Sequence, residues 1–207
     1  MPFLLCGDIS VRHRQYFGTD PLSEGETAVD GLRRRLADLH ERHGRRVSII
    51  GQSAGGIYAR ELARESPHAV RQVITLGSPF RYRRRDRTVV TPFAERMRLS
   101  WVPWFADGDL PEEDRPPVPV PVTAIYSRTD GVARWYACIE SAGPRKENIE
   151  IYGSHTGMAA NVAAIVAISD RLAQADGQWA PFEPWAGMRH LFPAPETWRP
   201  HTETASA

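Results

Sequence analysis

The stretch VSIIGQSAGGIYARELA, residues 47–63, decides how the rest of the chain is read. A β-branched run ends in Gly51. One serine follows among small residues, and then a helical pattern begins. The core of the stretch is Gly51-Gln52-Ser53-Ala54-Gly55-Gly56, which has the strand–turn–helix context of a nucleophile elbow. Such a turn is so tight that a bulky neighbour would strike the adjoining strand or helix. Ser53 would be held in a strained conformation with its hydroxyl above the sheet. The free N–H groups and dipole of the helix start favour a developing negative charge, and the N–H of Ala54 is the expected oxyanion donor. The plain alternative is a strand–helix junction whose serine caps the helix.

A serine hydroxyl is a weak nucleophile without a base, normally a histidine oriented by a carboxylate. Of seven histidines, His40 and His43 sit on a charged helical segment, and His190 and His201 lie in the tail. His155 follows the apolar run NIEIYG at 148–153 and precedes the last helical segment. The run VPVTAIYS at 120–127 is followed by Arg128-Thr129-Asp130-Gly131. In a parallel sheet functional residues gather at the carboxyl ends of strands, so Ser53, Asp130 and His155 are expected on one edge. Asp107, Asp109, Glu112, Glu113 and Asp114 compete for the acid's role but are expected to face solvent. The order serine, acid, histidine is that of an α/β-hydrolase.

The rest of the pattern agrees. Residues 25–43 carry an apolar stripe at Ala28, Leu32, Leu36 and Leu39, which predicts a helix stopped at Gly44. Strands are predicted at 46–51, 70–77, 120–127 and 148–153, and helices over 55–66, 131–143 and 157–173. Strands alternating with helices imply βαβ units and a mostly parallel sheet with helices on both faces. PFLLC near the start reads as a further strand, since no basic residue precedes it as in a signal peptide. Residues 80–117 are an insertion of the kind that forms a lid or binding loop. Trp101, Trp104 and Phe105 within it would line an acyl pocket or else pack into a core. The single domain is expected over 1–175, with a tail rich in proline and tryptophan over 176–207.

Composition narrows the function. The chain has 207 residues, 42% hydrophobic and 25% charged, with net charge +1. That suits one soluble domain and provides no electrostatic argument for nucleic acid or an anionic membrane. No apolar run approaches the roughly 20 residues that span a bilayer. Two cysteines far apart fit no metal-ligand spacing. The expected setting is cytoplasmic.

These blocks resemble the α/β-hydrolases, and within them the actinobacterial lipase and esterase branch. GQSAGGIYARELA, VITLGSPF, AIYSRTDGV and GSHTGM carry the resemblance, over roughly residues 25 to 175. It implies hydrolysis of a small ester or lipid by Ser53, Asp130 and His155, with no metal or organic cofactor. The family also has an early strand and a glycine-containing loop that supplies a second oxyanion donor. Here only 46 residues separate Gly7 from Ser53. The expectation is a sheet short of one or more early β–α units, with PFLLCG as the compressed form of that loop as the other reading. A sheet edge left open would invite pairing between copies. Two alternatives use the same residues: a weak or inactive relic of the fold, and an acyltransferase with the same triad.

Overall fold

The computed structural model describes residues 3–6, 28–81, 112–197 and 199. Its elements are β1 (Phe3–Cys6), α1 (Ala28–His43), β2 (Val47–Gln52), α2 (Ala54–Glu65), β3 (Val70–Leu76), β4 (Val122–Tyr126), β5 (Lys146–Glu150) and α3 (Val162–Ala173). The strands form one sheet in the order β1-β2-β3-β4-β5, and every neighbouring pair is parallel.

Every connection steps the same way across the sheet. Right-handed crossovers then place successive helices on the same face. Accordingly α1 and α2 share one core, built from Leu32, Leu36, Tyr58 and Leu62 against Ile49, Val70 and Val73. After β5 the chain turns to the opposite face, where Ala163, Ala164 and Ala167 of α3 meet Ile50, Ile74, Ile125 and Ile149. Consecutive strand residues thus serve different cores, Ile49 one and Ile50 the other. That is why these strands read as continuous apolar runs. The sheet is parallel with helices on both faces, as the sequence predicts.

Helix ends follow local chemistry. Gly44 adopts φ +59°, and its N–H reaches the His40 carbonyl at 2.9 Å, closing α1. The Asn161 side chain accepts from the N–H groups of Ala163 and Ala164, opening α3.

Three expectations need correction. The helix predicted over 131–143 is a single 3₁₀ turn, Trp135–Ala137. Asp130 Oδ1 takes the N–H groups of Val132 and Ala133 at 2.8 and 2.9 Å, a helix-opening pattern that the next residue interrupts. Arg134 is then extended, with ψ 122°, and Trp135 stacks on Tyr126. The strand predicted at 148–153 occupies 146–150, so His155 stands five residues beyond it. The last helix is split into a 3₁₀ turn, Met158–Ala160, and α3, because Asn161 is extended between them.

The tail lies against the body as far as it is described. Phe182, Leu191 and Phe192 pack on the α3 core. The N–H of Phe182 donates to Glu147, and that of Glu196 to the Tyr126 hydroxyl, at 2.8 and 2.6 Å. No helix among the described residues is long and apolar enough to cross a membrane.

Candidate active site

The carboxyl ends of β2 to β5 form one edge, and the chemistry-bearing residues collect there. Ser53 follows β2 directly, with φ 53° and ψ −126°. A non-glycine residue with positive φ and this ψ lies outside the ordinary allowed regions, and such strain persists only where the surroundings impose it. Here they do. A Cβ on Gly51 would lie 2.4 Å from the Gly55 carbonyl oxygen and the Gly56 Cα, and one on Gly56 would lie 2.0 Å from Ser78 Oγ. The N–H of Ser53 is tied to the Leu76 carbonyl of β3 at 2.9 Å. Ser53 occupies the capping position of α2, yet its hydroxyl makes no capping hydrogen bond. The plain helix-cap reading therefore fails. Ala54 is the first residue of α2, where an N–H has no partner within the helix.

Asp130 and His155 meet. His155 Nδ1 lies 2.7 Å from Asp130 Oδ2, and both side chains are almost fully buried. The two Asp130 oxygens divide their work: Oδ1 accepts the two backbone N–H groups of its own turn, and Oδ2 faces the imidazole. A carboxylate on Nδ1 favours the tautomer that leaves Nε2 free to accept a proton. Nε2 is buried and has no hydrogen-bond partner among the described residues. No hydrogen bond therefore joins it to Ser53, a looseness common in unliganded sites.

Gly77, at the end of β3, is a site residue that the sequence reading passes over. It has φ +52°, and a Cβ there would lie 2.9 Å from Asp130 Oδ2 and 3.3 Å from His155 Nδ1. The imidazole–carboxylate pair thus rests on bare backbone. The signal was present as a glycine ending the run VITLG. Gln52 was also passed over, and its Nε2 donates to the His155 carbonyl oxygen at 2.7 Å.

Other candidates fall away or stand elsewhere. Glu112 was expected to face solvent, but its side chain is 6% exposed and paired with Arg60 and Arg64. The two arginines draw it inward, since a buried cation needs a carboxylate beside it. Glu113 faces Arg81 at 3.5 Å. Asp107, Asp109, Trp101, Trp104 and Phe105 lie outside the described residues, as does Gly7. Burial, and then the charge of Asp130, pushes the Cys138 thiol well above its ordinary range, so it stays protonated. Among the described residues no group of three His, Cys, Asp or Glu could hold a metal ion.

No protein family's profile matches the sequence, and no curated protein matches it. Solved structures do. The fold is similar to that of N-formylmaleamic acid deformylase of Pseudomonas putida, with TM-score 0.53 and 14% identity over 81% of this chain and 91% of that one. It is similar to human thioesterase 2, with TM-score 0.53 and 10% identity over 82% and 93%. It is also similar to an esterase of Pyrococcus furiosus, with TM-score 0.54 and 15% identity over 74% and 63%. Identities this low speak to architecture alone, and by architecture the chain has the α/β-hydrolase fold.

Proposed function

We propose that the protein is a serine hydrolase that cleaves carboxylic esters through an acyl-enzyme. The observation that carries this reading is the buried His155 ring, held at Nδ1 by Asp130 and unpartnered at Nε2, on the same sheet edge as the strained Ser53. The resemblance of GQSAGG, SRTDG and GSHTGM to the actinobacterial lipase and esterase branch supports the substrate class.

Ser53 Oγ attacks the acyl carbon while its proton passes to His155 Nε2. The carbonyl oxygen becomes an oxyanion facing the N–H of Ala54, at the positive end of α2. Collapse of this intermediate breaks the bond to the leaving alcohol, which takes the proton from Nε2. Water then repeats the sequence on the acyl-enzyme and releases the acid. Asp130 orients the ring and stabilises the imidazolium. A second oxyanion donor belongs at the carboxyl end of β1, because Cys6 is in register with Gly51 and so lies beside the elbow.

A fluorophosphonate probe tests the reading directly. It should label Ser53 in the folded chain, and Ser53→Ala should abolish labelling. A folded wild-type chain that the probe leaves unlabelled contradicts the proposal.

A further inference from the structure

Ser53 and His155 follow strands that do not touch. β2 and β5 are separated by β3 and β4. Three strand spacings are about 14 Å, and a twist of 20–25° at each step sums to roughly 60–75°. A sheet therefore sets the base against the nucleophile only through a stack of small uncertainties. A misplacement of about 1 Å costs on the order of 100-fold in rate.

The five residues after β5 carry His155 back over the end of β3, and one side chain closes the remaining distance. Gln52, the residue before Ser53, donates from Nε2 to the carbonyl oxygen of His155 at 2.7 Å, across 103 residues of sequence. The acceptor is a carbonyl, so the amide nitrogen is necessarily the donor. β3 contributes no side chain from below, because Gly77 ends it and its missing Cβ leaves room for the Asp130–His155 pair. The base is thus held by Asp130 at its ring and, at its backbone carbonyl, by Gln52 at 2.7 Å and by the longer Met158 N–H contact at 3.4 Å.

We propose that Gln52 is a positioning residue, a strut that sets His155 relative to Ser53 from the nucleophile's own turn. The proposal rests on the serine-hydrolase reading above. Gln52 binds the backbone rather than the ring, so it fixes where the imidazole stands, while Asp130 sets its tautomer. Its loss should slow the steps that move a proton through His155 and leave substrate binding alone.

Gln52→Met keeps the length and removes the donor. With p-nitrophenyl butyrate, the variant should lose roughly 10- to 100-fold in kcat, with KM within about twofold of wild type. Fluorophosphonate labelling of Ser53 should slow by a similar factor. In a His155→Ala background the same substitution should cause no further slowing of labelling, because the strut then has nothing to place. The ring signals of His155 in NMR, assigned with His155→Ala, should shift or broaden in Gln52→Met. Unchanged ring signals, wild-type kcat in Gln52→Met, or an equal further loss in the His155→Ala background would each overturn the strut. Wild-type protein that resists the probe while its His155 signals still respond to Gln52→Met would sink the hydrolase reading and leave the strut standing.

Discussion

The molecule buries charge in two places and treats it in opposite ways. Around α2, Arg60 and Glu140 are each 1% exposed and paired with one another. Arg60 also meets Glu112, Lys146 reaches Glu140 at 3.3 Å, and the Arg60 guanidinium lies 3.8 Å above the Phe80 ring. Each charged group there faces an opposite charge or a ring, although the Arg60 Nε–H itself has no partner among the described residues. At the sheet edge the His155–Asp130 pair is comparably buried, but one acceptor, Nε2, faces no partner. Burying charge is costly in both places. In the first the cost is offset locally and yields a rigid junction. In the second part of it stays unrecovered, and the residue left wanting a proton stands on the serine's edge. What separates the two is the kind of valence left open, a guanidinium N–H that can only donate at Arg60 and an imidazole nitrogen that can accept at His155.

The comparison breaks first if removing Ser53 does not matter. Ser53→Ala should lower kcat/KM on short aryl esters by at least about 10³-fold, or roughly 4 kcal/mol of barrier, with the fold retained by circular dichroism. Combined with His155→Ala it should lose little more than either change alone, since the pair acts as a unit. Additive losses would mean that the two residues work separately.

Next comes the acid. Asp130→Asn should reduce kcat by roughly 10²- to 10⁴-fold, because the amide stabilises the wrong tautomer and no imidazolium. Steady-state kinetics beside Asp107→Asn and Asp109→Asn checks the choice. Full activity in Asp130→Asn with a dead Asp107 or Asp109 variant would move the acid elsewhere.

The α2 cluster should respond in the other currency, stability. Arg60→Met leaves Glu140 with only Lys146 and Glu112 with only Arg64 and should cost about 3 kcal/mol in urea unfolding, while kcat per folded molecule stays near wild type. Burial pulls the Glu140 carboxyl up, but Arg60 and then Lys146 outweigh it and hold it below the usual carboxylate range. In wild type its contribution is therefore complete above the unfolded value of about 4.3 and falls as pH drops toward the folded one. With Arg60 gone, burial should win and reverse the slope, so that the contribution falls as pH rises above the unfolded value of about 4.3. Unfolding free energies across pH 3 to 7 distinguish the two signs.

The smallest effect on chemistry is expected from the tail. Ending the chain at Asp176 removes Phe182, Leu191 and Phe192 from the α3 core. It also takes the Ala180 carbonyl from Arg171, which lies 2.6 Å from it. A loss of roughly 2–4 kcal/mol follows from half-exposing that apolar surface. Labelling of Ser53 should persist in a truncated chain that folds, and a folded chain that resists acylation would tie the tail to the site.

How much of this was legible in the sequence depends on whether a feature is local. Ser53, Asp130 and His155 each follow a β-branched or apolar run, so strand ends alone place them on one edge. PFLLC is legible as a strand for the same reason. The 131–143 segment is misread because its composition suits a helix, whereas the outcome turns on Arg134, which is extended where Trp135 stacks on Tyr126. The split before α3 hangs likewise on Asn161. Arg60–Glu140 and Gln52–His155 join residues 80 and 103 positions apart. No period or motif announces such pairs, and Glu112 reads as a solvated charge until Arg60 and Arg64 are beside it.

The one-directional strand order has a consequence for synthesis. Each strand is laid down beside the one made just before it, so the sheet can grow outward as the chain leaves the ribosome. At 5–20 residues per second, about 100 residues separate the emergence of Ser53 from that of His155, an interval of roughly 5–20 s. On the proposed mechanism the nascent chain through that interval holds Ser53 without His155 to take its proton. β5 is then followed by His155, and α3 crosses to the vacant face and locks the sheet. The proposed nucleophile is thus made well before its proposed base.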